Sequence, residues 1–195
     1  THLSYVHTTS IGNTDIVDFP CKTERVPPRS IKMTRMILDR PPAPFFKKAG
    51  GFEGNVDRFI ITTSDMPGYI VNHSGTYEVG SDPEPGHVSE NIGVEMKVMN
   101  MPTPETETSS HYFYAHCRHY KIDDPEWDEI FRTQFTKVFE EDQTVLNAQQ
   151  MRISSHPDAM EVDINGDAPN IQVRKMMDEL IAAEQTELAG MRRSA

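Results

Sequence analysis

The run Asp124-Pro-Glu-Trp-Asp-Glu-Ile-Phe-Arg-Thr-Gln-Phe-Thr-Lys-Val-Phe-Glu-Glu-Asp-Gln-Thr-Val-Leu146 decides the architecture. It opens with a proline in a first turn, where no intrahelical partner waits for the missing N–H. Its apolar residues Ile130, Phe131, Phe135, Val138, Phe139, Val145 and Leu146 recur at roughly helical spacing. This is a long helix, and it comes late in the chain. The segments before it carry the shorter signals of strands. Strands first and a long helix last predict an α+β fold, an antiparallel sheet with helices on one face.

Working back from the helix, residues 93–100 and 109–120 read as two long strands linked by the Pro102/Pro104 segment. Residues 81–86 form a loop. Residues 69–73 and 76–80 are two short strands, the first preceded by the turn signal Asp65-Met-Pro-Gly68. Residues 58–64 are rich in strand formers. Residues 45–57 contain Gly50, Gly51 and Gly54 and are expected to be a mobile loop. Residues 30–38 alternate as a strand, and Arg40-Pro-Pro-Ala-Pro44 ends it because proline donates nothing to a ladder. The first ten residues read as a short helix. Beyond the long helix, residues 154–169 are irregular. Asn170 is expected to cap a final helix reaching about Ala189, stopped by Gly190.

The chain has 195 residues, enough for one domain with a substantial core. Its formal net charge is −11, with no stripe of Lys or Arg to offset it. Nucleic-acid binding is therefore disfavoured, since phosphate contact needs clustered positive charge. No apolar run is long enough to span a membrane. Two cysteines point to free thiols in a reducing, cytoplasmic setting. Eleven methionines fill a core or line an adaptable apolar pocket.

Two features carry chemistry. The chain starts Thr1-His2-Leu3-Ser4-Tyr5-Val6-His7, an H-x4-H pair, and the long helix contains Glu140-Glu141-Asp142. Two imidazoles and one carboxylate make a facial triad for non-heme Fe(II), with positions left open for oxygen, water or substrate. On an ideal helix, five residues turn the chain by about 500°, leaving the two rings roughly 140° apart. Both reach one ion only where the helix is distorted, by a π-bulge or a 3₁₀ turn, or where one ring sits at its end. Otherwise they are two unrelated histidines at a frayed end. The spacing alone leaves Glu140, Glu141 and Asp142 all open as the carboxylate.

The segment His2-Leu-Ser-Tyr-Val-His7 with Thr-Thr-Ser-Ile-Gly12 resembles the iron-binding helix of Rieske-type ring-hydroxylating oxygenases, in the vanillate O-demethylase and dicamba monooxygenase branch. Met101-Pro-Thr-Pro-Glu-Thr-Glu-Thr-Ser-Ser-His-Tyr-Phe-Tyr114, Arg118 and Ile122-Asp-Asp-Pro125 resemble its last hairpin. Phe139-Glu-Glu-Asp-Gln143 with Ala148-Gln-Gln150 resembles the helix of the third iron ligand. Val173-Arg174-Lys175 and Leu180-Ile-Ala-Ala-Glu184 resemble the closing helix; residues 20–100 match loosely. The resemblance implies a helix-grip fold, a sheet curved around the long helix with a cavity between them. It implies His2, His7 and Asp142 as ligands of a mononuclear Fe(II).

The same resemblance places Asn100 at a polar substrate contact or a strand end, and Ile61, Thr63, Tyr69 and Val71 on segments that face the cavity or fill plain core. By position, Phe45 and Phe46 before the glycine-rich loop belong to a lid or to surface packing, and Tyr5 between the histidines orients one of them or packs the helix. His73, His87, His111, His116, His119 and His156 receive no metal. Family members also carry a [2Fe–2S] cluster on C-x-H and C-x2-H motifs. Cys117-Arg118-His119 imitates the first motif, and no C-x2-H occurs. Cys117 and His119 share a strand face with His111, Phe113 and Ala115, which reads as a buried or half-buried strand. Residues 1–195 are thus expected to be the mononuclear-iron catalytic domain of a longer polypeptide. Its Rieske domain, and the acidic residue that the family places ahead of the first histidine, lie outside this chain.

The implied activity is O-demethylation of a methoxylated, vanillate-like aromatic acid with O2. Electrons come from NAD(P)H through a separate ferredoxin or reductase component, in a homotrimer. The alternatives are a ring or alkyl hydroxylase of the same type, and a metal-free helix-grip module for an apolar ligand.

Overall fold

The computed structural model describes residues 2–81, 93–160 and 162–194, with no side-chain detail at 193 and 194. Six strands form one antiparallel sheet in sequence order: β1 (Lys22–Val26), β2 (Ser30–Arg40), β3 (Val56–Asp65), β4 (Tyr69–Glu78), β5 (Val94–Pro104) and β6 (Ser110–Arg118). Among the described residues three α-helices accompany it: α1 (Pro44–Gly50), α2 (Pro125–Ser155) and α3 (Ala168–Ser194).

The long helix starts as its sequence predicts. Pro125 occupies the first turn, and the Asp124 carboxylate accepts from the Glu126 and Trp127 amides at 3.0 and 3.4 Å. Trp127, Phe131, Phe135 and Val138 are buried, three of them in the main core with Val94, Met96 and Val98 of β5 and the aromatic face of α1. Val145 and Leu146 are exposed, so the apolar stripe leaves the core after Phe139 and the rest of α2 projects beyond it.

Residues that pair across strands point to the same side of a sheet. The ladder Ile60–Ser74–Met96–Arg118, with Asn72–Val98–His116 and Ile70–Asn100–Tyr114, defines the inner face. It faces α2, since His116 and Tyr114 pack on Phe131, Phe135 and Phe139. The α3 helix covers the β1–β2 end, where Arg25 bonds Glu179 and Met176 is buried. Both helices lie on one side of the sheet, the helix-grip arrangement.

Several local expectations need correction. The first residues form a single 3₁₀ turn, His2–Ser4, followed by hydrogen-bonded turns, not a short helix. The supposed loop 45–57 is largely α1 and the start of β3. Pro44 opens α1, Gly51 ends it in the left-handed region at φ 69°, and Phe45, Phe46 and Ala49 anchor it. Phe46 is 0% exposed, and Phe45 meets Trp127, Phe131 and Phe135 edge-on. Neither is a lid.

The two short strands 69–73 and 76–80 are one strand, β4. Gly75 in its middle makes room for Phe59 of β3, whose ring would lie 2.3 Å from an added Cβ. The Pro102/Pro104 segment is the end of β5, paired to β6 through Pro102↔Tyr112 and Pro104↔Ser110. Pairing with β4 stops at Asn100, so the far edge of β5 needs no donors there.

The strand face with His111, Phe113, Ala115 and Cys117 is exposed, because it is the outer side of edge strand β6. The last helix begins two residues before Asn170 and runs through Gly190. Strand β1 was not expected. The loop expected at 81–86 lies, beyond Ser81, outside the described residues.

Candidate metal centre

The amino-terminal segment is held on the inner face by backbone bonds. Tyr5 and Val6 donate to the His2 carbonyl at 2.9 and 2.7 Å, and Ser10 and Gly12 donate to the His7 carbonyl at 3.0 and 2.9 Å. Gly12 returns against the first turn so closely that an added Cβ would sit 1.8 Å from the Leu3 carbonyl oxygen. Phe45 donates to the Ser10 carbonyl at 3.1 Å. The buried Arg58 of β3 donates to the Ile11 carbonyl at 3.0 Å, with its guanidinium 4.2 Å from the centre of the Phe46 ring. Arg35 of β2 donates to the Ile16 carbonyl at 3.3 Å.

This folding removes the angular conflict of an H-x4-H pair. The His2 and His7 rings stand 5.1 Å apart, edge to face. Asp142 approaches from the middle of α2. One donor atom from each of His2, His7 and Asp142 lies within 4.8 Å of the others, the one such His/Cys/Asp/Glu group among the described residues. Two ligand atoms about 2.1 Å from one ion, at right angles, are about 3 Å apart. His7 Nε2 and Asp142 Oδ1 are 3.0 Å apart. That pair is at ligand spacing, and the donor set of two nitrogens and a carboxylate oxygen is the kind that suits a divalent iron with open positions.

Electrostatics fit the geometry. His7 is 1% exposed, and burial opposes its protonation. Hydrogen bonds to Asp142 and Glu141, with their charges, outweigh this and raise its pKa. His2 has an exposed outer edge, yet desolvation lowers its pKa, His7 adds to that, and Asp142 opposes it. Burial, then the charge of Asp142, pushes the Tyr112 phenol up.

Asp142 also lines a cleft of about 920 Å³ between the β5–β6 hairpin and the outer half of α2. Tyr112, Tyr114, Phe139 and Leu146 are its apolar walls. Tyr112 and Tyr114 both pack on Phe139, at 5.5 and 4.4 Å between ring centres.

The sequence-derived substrate contacts fare less well. Asn100 is on the inner face and buried, accepting from the Tyr112 hydroxyl at 2.9 Å, and so stands behind a cleft residue. Ile61, Thr63, Tyr69 and Val71 are on the outer face, in register with Lys97, Met99, Ala115 and Cys117 or with Asp65. Ile61 packs there with Phe59 and Tyr77. None of the four borders the cleft. A strand alternates sides at every residue, so an error of one position puts the whole set on the wrong face.

Tyr5 is 71% exposed and turned away from an orienting role. Glu140 lines the cleft, while Glu141 faces His7. Tyr112 and Tyr114 were missed as cleft residues; the alternation of β6 was the available signal. The contact of Ser10 with Glu141 had none.

The chain is similar to known proteins over most of its length. Residues 1–183 match the family model described as the vanillate O-demethylase oxygenase C-terminal domain. A putative toluene-4-sulfonate monooxygenase system iron-sulfur subunit from Comamonas testosteroni is 33% identical over 94% of this chain and 54% of its own length. A vanillate O-demethylase oxygenase subunit from Pseudomonas sp. is 31% identical over 95% of this chain and 53% of its own length. The chain thus spans about half the length of the curated relatives it matches. Among solved structures, dicamba monooxygenase bound to 3,6-dichlorosalicylic acid shares the fold at a TM-score of 0.84 and 21% identity, over 94% of this chain and 53% of that one.

Proposed function

Because the chain belongs to the vanillate O-demethylase oxygenase C-terminal domain family, we propose that it is the iron-bearing catalytic part of an oxygenase that O-demethylates a methoxylated aromatic, vanillate-like in kind. The observation that carries this reading is the convergence of His2, His7 and Asp142. These three residues would hold Fe(II); the ion, when bound, supplies reductive activation of O2. Electrons would originate in NAD(P)H and arrive through a reductase or ferredoxin component and a [2Fe–2S] Rieske cluster. The present residues do not fit that cluster, having one C-x-H and no C-x2-H, and its ligands would have to come from elsewhere. A homotrimer is the proposed assembly.

The protein's own contribution is placement. His2 and His7 offer nitrogen donors from a segment pinned by Arg58 and Arg35, and Asp142 offers negative charge from a rigid helix. Tyr112, Tyr114 and Phe139 present ring faces and edges to a flat aromatic substrate in the cleft beside Asp142. A ring held there would bring one of its substituents towards the three residues that would hold the ion. Hydroxylation of a methoxy carbon then gives a hemiacetal, which releases formaldehyde and a phenol. No described helix is long and apolar enough to cross a membrane. Free Cys21 and Cys117 support a reducing, cytoplasmic setting.

The test is iron content and product together. After anaerobic Fe(II) loading, the wild type should hold about one iron per chain beyond any cluster iron, and His7→Ala and Asp142→Ala should lose it. Methoxy-aromatics should yield stoichiometric formaldehyde. Oxidised product without formaldehyde would point to a ring or alkyl hydroxylase. An Asp142→Ala variant that keeps its ligand affinity, from a wild type that binds no iron, would point to a metal-free binding module.

A further inference from the structure

We infer that Glu141 is a positioning residue for His7, fixing which of its nitrogens faces the metal; this rests on the iron-site reading above. His7 is bracketed by consecutive residues of α2. Its Nε2 lies 3.0 Å from Asp142 Oδ1, and its Nδ1 lies 2.8 Å from Glu141 Oε2. Successive side chains on a helix diverge by about 100°, so a ring inserted between two of them meets one carboxylate with each nitrogen. A mononuclear site uses one nitrogen of an imidazole. Asp142 belongs to the converging group with His2, and Glu141 does not. The metal-facing nitrogen is therefore Nε2, and Nδ1–H donates to Glu141.

A carboxylate behind a ligating imidazole holds the ring's orientation and tautomer and raises the basicity of the donor nitrogen. Glu141 is itself held. Ser10 Oγ lies 3.0 Å from the same Oε2 and 3.2 Å from the His7 carbonyl oxygen. Ser10 is buried, and its backbone N–H donates to that carbonyl, which leaves the hydroxyl proton free for Glu141. The hydroxyl has one proton to give; donated to Glu141 it holds the carboxylate behind the ring, while the Ser10 backbone N–H bonds the backbone that carries the ring. The His7 turn and the middle of α2 are clasped through contacts spanning 134 and 131 residues of sequence. Glu141, one of the two competing acidic residues of the Glu140-Glu141-Asp142 run, thereby acquires a role distinct from ligation.

The experiment measures Fe(II) affinity by chelator competition in the full-length protein, with the His7 ring nitrogens read by ¹⁵N NMR in Zn(II)-loaded protein. Glu141→Ala should weaken Fe(II) binding about 10- to 100-fold. Glu141→Gln keeps an acceptor at nearly the same place and should retain most of the affinity. Ser10→Ala should lose less than Glu141→Ala. In the wild type, His7 should bind metal through Nε2 and carry a deshielded, slowly exchanging Nδ1 proton. In Glu141→Ala that proton should move upfield and exchange faster.

Three outcomes would overturn the inference. The first is a Glu141→Ala variant with wild-type affinity and an unchanged Nδ1 proton, while Asp142→Ala loses the metal; the iron reading would stand. The second is total loss of metal in Glu141→Ala that Glu141→Gln does not restore, which would make Glu141 a ligand. The third is metal on Nδ1. Indifference of binding to Asp142→Ala would sink the iron reading itself. Should Glu141→Ala not fold, the near-isosteric Gln variant and Ser10→Ala give the same readouts.

Discussion

At the scale of single residues, His116 separates burial from function. It stands on the inner face of β6, its ring centre 4.2 Å from that of Phe135 and 5.2 Å from that of Phe131. Neither ring nitrogen has a hydrogen-bond partner, and both are shielded from solvent. Burial lowers its pKa to about 4, against an ordinary 6.5. The folded state then binds the proton less readily than the unfolded chain. Stability held by the neutral ring is complete above pH 6.5 and is lost as pH falls from 6.5 towards 4. We expect that loss to be of order 1–3 kcal/mol. Denaturant midpoints of His116→Leu should change less between pH 7 and pH 4.5 than those of the wild type. Equal slopes for the two proteins would show that His116 finds a partner in solution.

At the scale of elements, the candidate metal centre depends on how tightly the first turns fold back. Gly12 is required by proximity and not by a left-handed backbone, since its hypothetical Cβ collides with the Leu3 carbonyl oxygen at 1.8 Å. That atom is backbone and cannot swing aside. Gly12→Ala should therefore push the Leu3 and Gly12 segments apart, costing about 1–3 kcal/mol and weakening Fe(II) binding at the neighbouring histidines. Calorimetric melting and metal titration check the two parts separately. Retention of both would mean that the turn opens without moving His2 or His7. The same segment shows what local patterns convey. An H-x4-H spacing flags either a distorted turn or a coincidence, and the 3₁₀ turn resolves it only after Arg58 and Arg35 fasten the chain to the sheet.

At the scale of the whole molecule, the sheet is covered from two ends, by α2 over β5 and β6 and by α3 over β1 and β2. The attachment of α3 can be divided into its parts. Met176 is 1% exposed, whereas Arg25 and Glu179 pair on the open surface. Met176→Ala should lower the unfolding free energy by about 2–4 kcal/mol, seen as a lower urea midpoint with an unchanged slope. Arg25→Ala should leave the midpoint nearly where it was, because exposed ion pairs contribute little. A reversal of that order would mean that α3 is held by its rim.

The sequence by itself determined the period of most elements, the α+β order and the start of α2, and it singled out His2, His7 and Asp142 as candidates that the fold brings together. These depend on spacing within a few residues or on motifs short enough to read directly. Tertiary structure decided what depends on distant partners. It turned residues 44–50 from an apparent glycine-rich loop into α1, because Phe45 and Phe46 find a core built by residues about 80 positions later. It placed Ile61, Thr63, Tyr69 and Val71 on the side away from α2, because strand register sets the face and local composition does not. It also distinguished Glu141 from Asp142. The two are adjacent acidic residues on one helix, and only the ring of His7 inserted between them gives each a different nitrogen.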